Sequence, residues 1–352
     1  MTSSFVDALP VLKTKSGTAA FWWLAVAAVP AAALLALGVG RYEVPPVQVL
    51  RILAGNALPI VPDWPPAAER VVELVRLPRV LAALVAGAAL GLTGAALQGM
   101  FRNPLVGPQI IGVTSGAAFG GALAILLFGT VFALVGLAFV FGLLAVAVVY
   151  LLARVEGQAP TLTLVLAGVV VSAAFSSLVS LLTYLADPND TLAAIVYWLM
   201  GSFAMMSYGT LGVLTASAAA GASILWLLRF RINVLSLGDE DAAALGISVE
   251  RSRWLVLGAV ALAVAGIVAV AGIVGWVGLV VPHIARMIVG PDHRVLMPAA
   301  AILGALYLLA IDTVARTATA AEIPLGILTA LIGAPVFAVL LRRLHLRGWS
   351  GG

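Results

Sequence analysis

The chain has 352 residues, 63% of them hydrophobic and only 10% charged, with a mean hydropathy of +1.15. A water-soluble protein of this size needs charge on its helix faces, so that class is excluded, and the lack of cysteine removes disulfides and thiolate metal sites. The net charge of +4 comes from single basic residues at the joints between apolar segments, a pattern of membrane topology and not of nucleic-acid binding.

Lys13 and Lys15 precede an apolar run that starts at Phe21, an arrangement that imitates a signal peptide. The run is long enough to cross a bilayer and many more follow, so it reads as an uncleaved first helix. Ten spans are predicted, at 21–40, 79–101, 111–128, 131–153, 162–185, 208–228, 254–271, 276–289, 297–315 and 323–341. The segment 41–78 reads as the one long outer connection, stiffened by the proline-rich run Pro62 to Pro66 into a short cap. Residues 191–206, bracketed by Asp187-Pro188-Asn189-Asp190 and Ser207-Tyr208-Gly209, read as a partly buried outer helix. Gly87 and Gly91, and Gly112, Gly116 and Gly120, recur every four residues, the spacing by which helix backbones approach closely in lipid.

An even number of spans puts both termini on one side. With the N-terminus inside, thirteen of the 19 basic residues fall on the inner side, among them Arg102, Arg154, Arg229, Arg253 and Arg294. The outer side keeps Arg41, Arg51, Arg70, Arg76, Arg79 and Arg316. Both termini are therefore expected in the cytoplasm.

No ionisable side chain falls in the middle of a span; His283, Arg286, Asp312 and Arg316 lie towards helix ends. Ion-coupled carriers need such groups near the midplane, so an ion-coupled secondary transporter is the disfavoured alternative. The chain also lacks a G-x-x-x-x-G-K-[ST] loop and holds two lysines in all, so any ATP hydrolysis must come from another subunit. The candidate entry point for that energy is the cytoplasmic stretch 230–252, flanked by Arg229, Arg231, Arg251 and Arg253. Asp239, Glu240 and Asp241 suit the positive end of a short helix, three alanines continue it, and Gly246 ends it. The result is a helical elbow projecting from the membrane.

These segments carry ten motifs in order. They are Arg76-Leu77-Pro78-Arg79, Gly94-Ala95-Ala96-Leu97-Gln98-Gly99, Arg102-Asn103-Pro104-Leu105-Val106-Gly107-Pro108 and Gly112-Val113-Thr114-Ser115-Gly116-Ala117. Then come Tyr197-Trp198-Leu199-Met200-Gly201-Ser202, Leu235-Ser236-Leu237-Gly238, and Gly275-Trp276-Val277-Gly278-Leu279-Val280-Val281-Pro282-His283. Gly290-Pro291-Asp292-His293-Arg294, Asp312-Thr313-Val314-Ala315-Arg316 and Glu322-Ile323-Pro324-Leu325-Gly326 close the series. Together they resemble the membrane subunits of ABC importers for iron chelates (ferric siderophores, haem) and vitamin B12, over roughly residues 70–343.

The resemblance implies an all-α permease domain of about ten helices spanning 1–352, like that of the vitamin B12 importer. It implies a second copy of the chain, two cytoplasmic ABC ATPases that hold ATP and Mg, and a periplasmic or extracellular solute-binding protein. The expected place is the bacterial inner membrane, with no cofactor or metal in this chain and no enzymatic activity of its own.

Residue by residue, the resemblance makes Arg76, Arg79 and Arg316 anchors for carboxylates of the binding protein, a task that suits the planar guanidinium fork. The alternative for Arg316 is an i,i+4 pair with Asp312. Leu235, Leu237, Gly238, Ala242, Leu245 and Gly246 become the ATPase coupling elbow, the leucines offering apolar surface. Asn103, Leu105 and Thr161 become cytoplasmic gate positions, although Leu162 stands where the family has a small hydroxyl residue. His283 and His293 read as structural, and Met200, Met205, Met206 and Tyr208 as packing.

The expected function is alternating-access import of an intact iron complex, haem or ferric siderophore. Vitamin B12 and molybdate are the alternative cargoes. A non-transporting scaffold and an intramembrane enzyme are the rivals of other classes; the enzyme lacks paired carboxylates or a Ser/His couple within a span.

Overall fold

A computed structural model describes residues 15–154 and 160–348. Lys13 and the outermost stretches of both termini lie outside the described residues. The fold is all-α. Among the described residues seven helices are long and apolar enough to cross a membrane.

All ten expected spans are helices. Seven are the long ones: α1 (Lys15–Gly38), α4 (Leu77–Met100), α6 (Val131–Ala153), α7 (Thr161–Leu185), α9 (Tyr208–Leu227), α12 (Val249–Ala271) and α14 (His293–Thr317). The other three, α5 (Val113–Leu127), α13 (Val277–Val289) and α15 (Leu325–Gly348), have shorter apolar stretches. The outer helix expected within 191–206 is α8 (Thr191–Leu199), with Ile195 as its buried contact.

The segment 41–78 differs from expectation. It contains the amphipathic helix α2 (Pro46–Gly55), and the continuous helix that carries the second span starts far earlier than residue 79. Pro66 opens α3 (Pro66–Arg70), which runs through a π-helical stretch (Val71–Arg76) directly into α4. The proline run therefore launches a helix, because Pro at a first helical position gives up an amide that has no partner anyway. A π turn is rare and concentrates at functional sites; here it ends on Arg76.

At the centre lie α4, α12 and α14; α1, α6, α7 and α9 keep most of their length on the outside of the subunit. Alanine and glycine decide this arrangement. A Cβ on Gly87 would overlap the Gly304 carbonyl, and one on Gly91 the Ala300 carbonyl, so α4 and α14 pack with their backbones nearly touching. Gly116 and Gly120 do the same for α5 against Phe141 and Leu137 of α6. In lipid, where apolar side chains gain little by leaving the solvent, this close contact is what drives helices together. The four-residue glycine spacing thus serves packing within one subunit. The remaining helices, α10 (Arg229–Leu235) and α11 (Asp239–Ala244), form the elbow between α9 and α12.

Candidate functional site

The chemistry of this chain sits at the two ends of the bundle. At one end, the one expected to face outward and called the outer end below, α1 terminates with its last carbonyls lacking helical partners. Two arginines supply the donors. Arg76 donates to the carbonyls of Leu37 (2.7 Å), Gly38 (3.0 Å) and Tyr42 (2.5 Å). Arg316 donates to those of Val39 (2.6 Å) and Ala36. Both guanidiniums also place positive charge at the negative end of the helix dipole.

Arg79 lies beside them and grips two carboxylates. Its Nε is 3.0 Å from both Asp312 oxygens, and Nη1 is 2.9 Å from both Glu322 oxygens. Asp312 is fully buried on α14, whereas the Glu322 side chain, in the loop before α15, is 29% exposed. A cavity of about 200 Å³ opens over this cluster, lined by Arg41, Tyr42, Arg76, Arg79, Arg316 and Glu322.

The structure does bring Arg76, Arg79 and Arg316 together, as expected, but not as cations offered to the outside. Their exposures are 5%, 6% and 7%. Each fork is engaged by carbonyls or carboxylates of this same chain, as burial of a guanidinium demands, with Arg316 Nε left without a hydrogen-bond partner among the described residues. The expected i,i+4 pair of Arg316 with Asp312 is long, at 3.9 Å, since Arg79 takes that carboxylate instead. The cations exposed on this side are Arg41, Arg51 and Arg70.

At the opposite end, the one expected to be cytoplasmic and called the inner end below, the elbow folds as its sequence indicates. Asp239, Glu240 and Asp241 occupy the first turn of α11. Its C-terminus closes with Ile247 N–H on the Ala242 carbonyl (2.9 Å) and Gly246 N–H on that of Ala243 (2.9 Å), the paired bonds that glycine at positive φ permits. Gly246 has φ +78 with open space around it. Leu237 and Leu245 point outward, at 62% and 63% exposed. Leu235 and Ala242 do not: they are buried under the elbow, so Leu235 offers no apolar surface and Ala242 packs inward. Gly238 is buried at φ +146, beside Arg102.

Arg253, near the start of α12, is 4% exposed and donates to Asp239 at 2.8 and 2.9 Å and to Thr161 Oγ1 at 2.7 Å. The connection after α4 is held by Asn103, whose Oδ1 accepts from Leu105 N–H at 2.9 Å. Arg102, at its start, holds a left-handed φ of 51. Asn103 is exposed, Leu105 is at the edge of exposure, and Leu162 is outward-facing.

His293 is buried, and Asn233 Oδ1 lies 2.8 Å from both its backbone nitrogen and its Nδ1, which joins α10 to α14. Asn233 also donates to Asp292 at 2.7 Å. Hydrogen bonds from Arg294, and then from Asn233, hold the Asp292 carboxyl well below the usual carboxylate range, so it stays charged at neutral pH. No cluster with metal-ligand geometry occurs among the described residues. At the outer end, Met205 is open and lines a cavity of about 430 Å³ with Tyr197, Trp198 and Asp190, while the Tyr208 hydroxyl donates to the Glu73 carbonyl at 2.6 Å.

Two partners escaped the sequence: Glu322 beside Arg79, and Arg253 between Asp239 and Thr161. A lone aspartate inside the apolar run of α14 signals a cation at its depth, here Arg79, but it does not point to Glu322. Nothing singled out Arg253 among the four arginines that flank the elbow.

The FecCD transport family matches residues 28–343. The molybdate import system permease protein of Haemophilus influenzae is 46% identical over 90% of this chain and 94% of that relative. The hemin transport system permease protein of Yersinia pestis is 41% identical over 76% of this chain and 82% of its own length. A solved transporter described as of the metal-chelate ABC type, in an inward-facing conformation, superposes with a TM-score of 0.82 at 43% identity, covering 91% of this chain and 98% of that one.

Proposed function

Because this chain belongs to the FecCD transport family, we propose that it is the permease subunit of a binding-protein-dependent importer, driven by ATP hydrolysis in a partner. That it is a multi-pass ABC permease follows from the family and from its apolar helices. Beyond that, the proposal is a homodimer in a bacterial inner membrane, served by two cytoplasmic ATPases, with both termini cytoplasmic. Residues 1–352 act as one permease domain, with 230–252 as its coupling segment.

The observation that carries the reading is the elbow. A short, well-closed helix stands off the bundle and turns two large apolar side chains, Leu237 and Leu245, outward. Exposed leucines on a charged projection favour a protein contact, and the ATPase is the partner that must be met on this side. Leu235 and Ala242 support the elbow from beneath; Gly238 and Gly246 allow its turns. Asn103, Leu105 and Thr161 are proposed as gate positions.

At the outer end, the docking role of Arg76, Arg79 and Arg316 is proposed in a changed form. Arg76 and Arg316 hold the platform by capping α1. Arg79 meets the binding protein when an incoming carboxylate competes with the half-exposed Glu322.

For the cargo, we propose a metal-containing ligand delivered by the binding protein, the iron complex being the first reading. The 46% match to a molybdate permease favours the oxyanion as the second. Titration of the cognate binding protein with haem, ferric siderophore, cobalamin and molybdate decides between them. Submicromolar binding of cobalamin alone would exclude both readings.

A further inference from the structure

Three segments distant in sequence meet at one carboxylate on the inner side. Asp239 opens α11. Its oxygens receive Arg253 of α12 at 2.8 and 2.9 Å and lie 3.9 Å from Nη2 of Arg102, where the connection after α4 begins. The same Nη2 of Arg253 reaches Thr161 Oγ1, the first residue of α7, at 2.7 Å. Elbow and α7 are thus joined through Arg253, while the pair with Arg102 is exposed on both sides, at 43% and 42%.

Burial separates this contact from ordinary surface pairing. Of the four arginines around the elbow, Arg231 and Arg251 are exposed, and Arg229 lies over the rings of Trp226 and Phe230. Arg253 alone is buried, at 4% exposed. An exposed ion pair constrains little, because water replaces either partner. A buried guanidinium has no such substitute, so its partners move with it or the pair breaks at high cost. Gly238 contributes space: a Cβ there would lie 3.3 Å from Nη1 of Arg102.

We infer that Arg253 is the positioning residue that carries displacement of the elbow, through Thr161, to α7. The inference rests on the reading of the elbow as the ATPase contact.

The chain has no cysteine, so a Leu162→Cys parent offers a single reporter thiol on the exposed start of α7. In the complex with its ATPase, reconstituted in nanodiscs, nucleotide should change the rate at which a thiol reagent labels that site. Arg253→Lys keeps the charge on a shorter side chain, so its ammonium does not reach the place where Nη2 meets both Asp239 and Thr161. With one hydrogen bond to a charged group lost, the nucleotide-dependent change in labelling and the cargo moved per ATP should each fall about tenfold. The ATPase should remain in the complex and hydrolyse at the parental rate. Thr161→Val, which cuts the α7 arm alone, should weaken the labelling response while leaving assembly intact.

Parental labelling and parental cargo per ATP in both variants would overturn the inference. So would loss of the ATPase from the Arg253→Lys complex, which would make this residue a brace of the elbow and nothing more. A parent that never retains ATPase would instead defeat the elbow reading, and the inference would go with it.

Discussion

The two ends of this bundle hold their charges in opposite ways. At the outer end three guanidiniums are buried, and their donors close on the carbonyls of α1 and on two carboxylates of the same chain. At the inner end a charged elbow turns Leu237 and Leu245 outward, packs Leu235 and Ala242 beneath it, and is tied back by one buried arginine. The outer cluster locks the first, fourth and fourteenth helices into a single body. On the proposed reading the elbow is the part an ATPase grips, and the asymmetry gives one end that keeps its shape and one that receives force.

The contrast breaks most severely at Arg79. Arg79→Leu leaves Asp312 buried without its cation, a loss of about 3–5 kcal/mol for a buried pair cut on one side. The expected outcome is aggregated or undetectable permease by size-exclusion chromatography, with partial recovery in the double variant Arg79→Leu, Asp312→Asn. A monodisperse single variant would show that the outer lock is not needed.

Gly91→Leu comes next. Its side chain would collide with the Ala300 carbonyl, and forcing α4 from α14 should cost about 1–3 kcal/mol, read as a lowered melting temperature in detergent. The elbow provides the matching control. Gly246→Val meets no neighbour but needs a positive φ, an expense of about 1–2 kcal/mol confined to the elbow. The melting temperature of the bundle should therefore hold, while co-purification of the ATPase falls. Equal loss of bundle stability in both variants would erase the distinction between the ends.

The smallest effect sharpens the outer end. Glu322→Gln removes the half-exposed competitor for Arg79 and leaves Asp312 in place. Binding-protein affinity, measured by surface plasmon resonance, should rise severalfold, within the roughly 1 kcal/mol that a partly exposed ion pair contributes. Unchanged or weaker docking would remove Glu322 from the account.

Much of this was readable in the chain. Helix positions follow from apolar length, which a bilayer makes nearly unambiguous, and all ten spans are helices. The elbow was readable because its acidic first turn, alanines and closing glycine agree in one short stretch. Partnership was harder. Arg76 and Pro78 look like a surface mount until α1 is seen to end beneath them, a contact between residues nearly forty positions apart. Leu235 and Leu237 face opposite ways, as residues two apart on a helical turn do, so only one of them could offer surface. Arg253 is a further example: its burial depends on where Thr161 and Asp239 come to rest.

Cargo uptake in proteoliposomes tests the account most directly, with the permease reconstituted either alone or with its ATPase and binding protein. The account predicts uphill accumulation only in the complete system with ATP, abolished by Leu245→Arg on the exposed elbow while the variant bundle keeps its melting temperature. Accumulation against a gradient by the permease alone, or full uptake with Leu245→Arg, would contradict it.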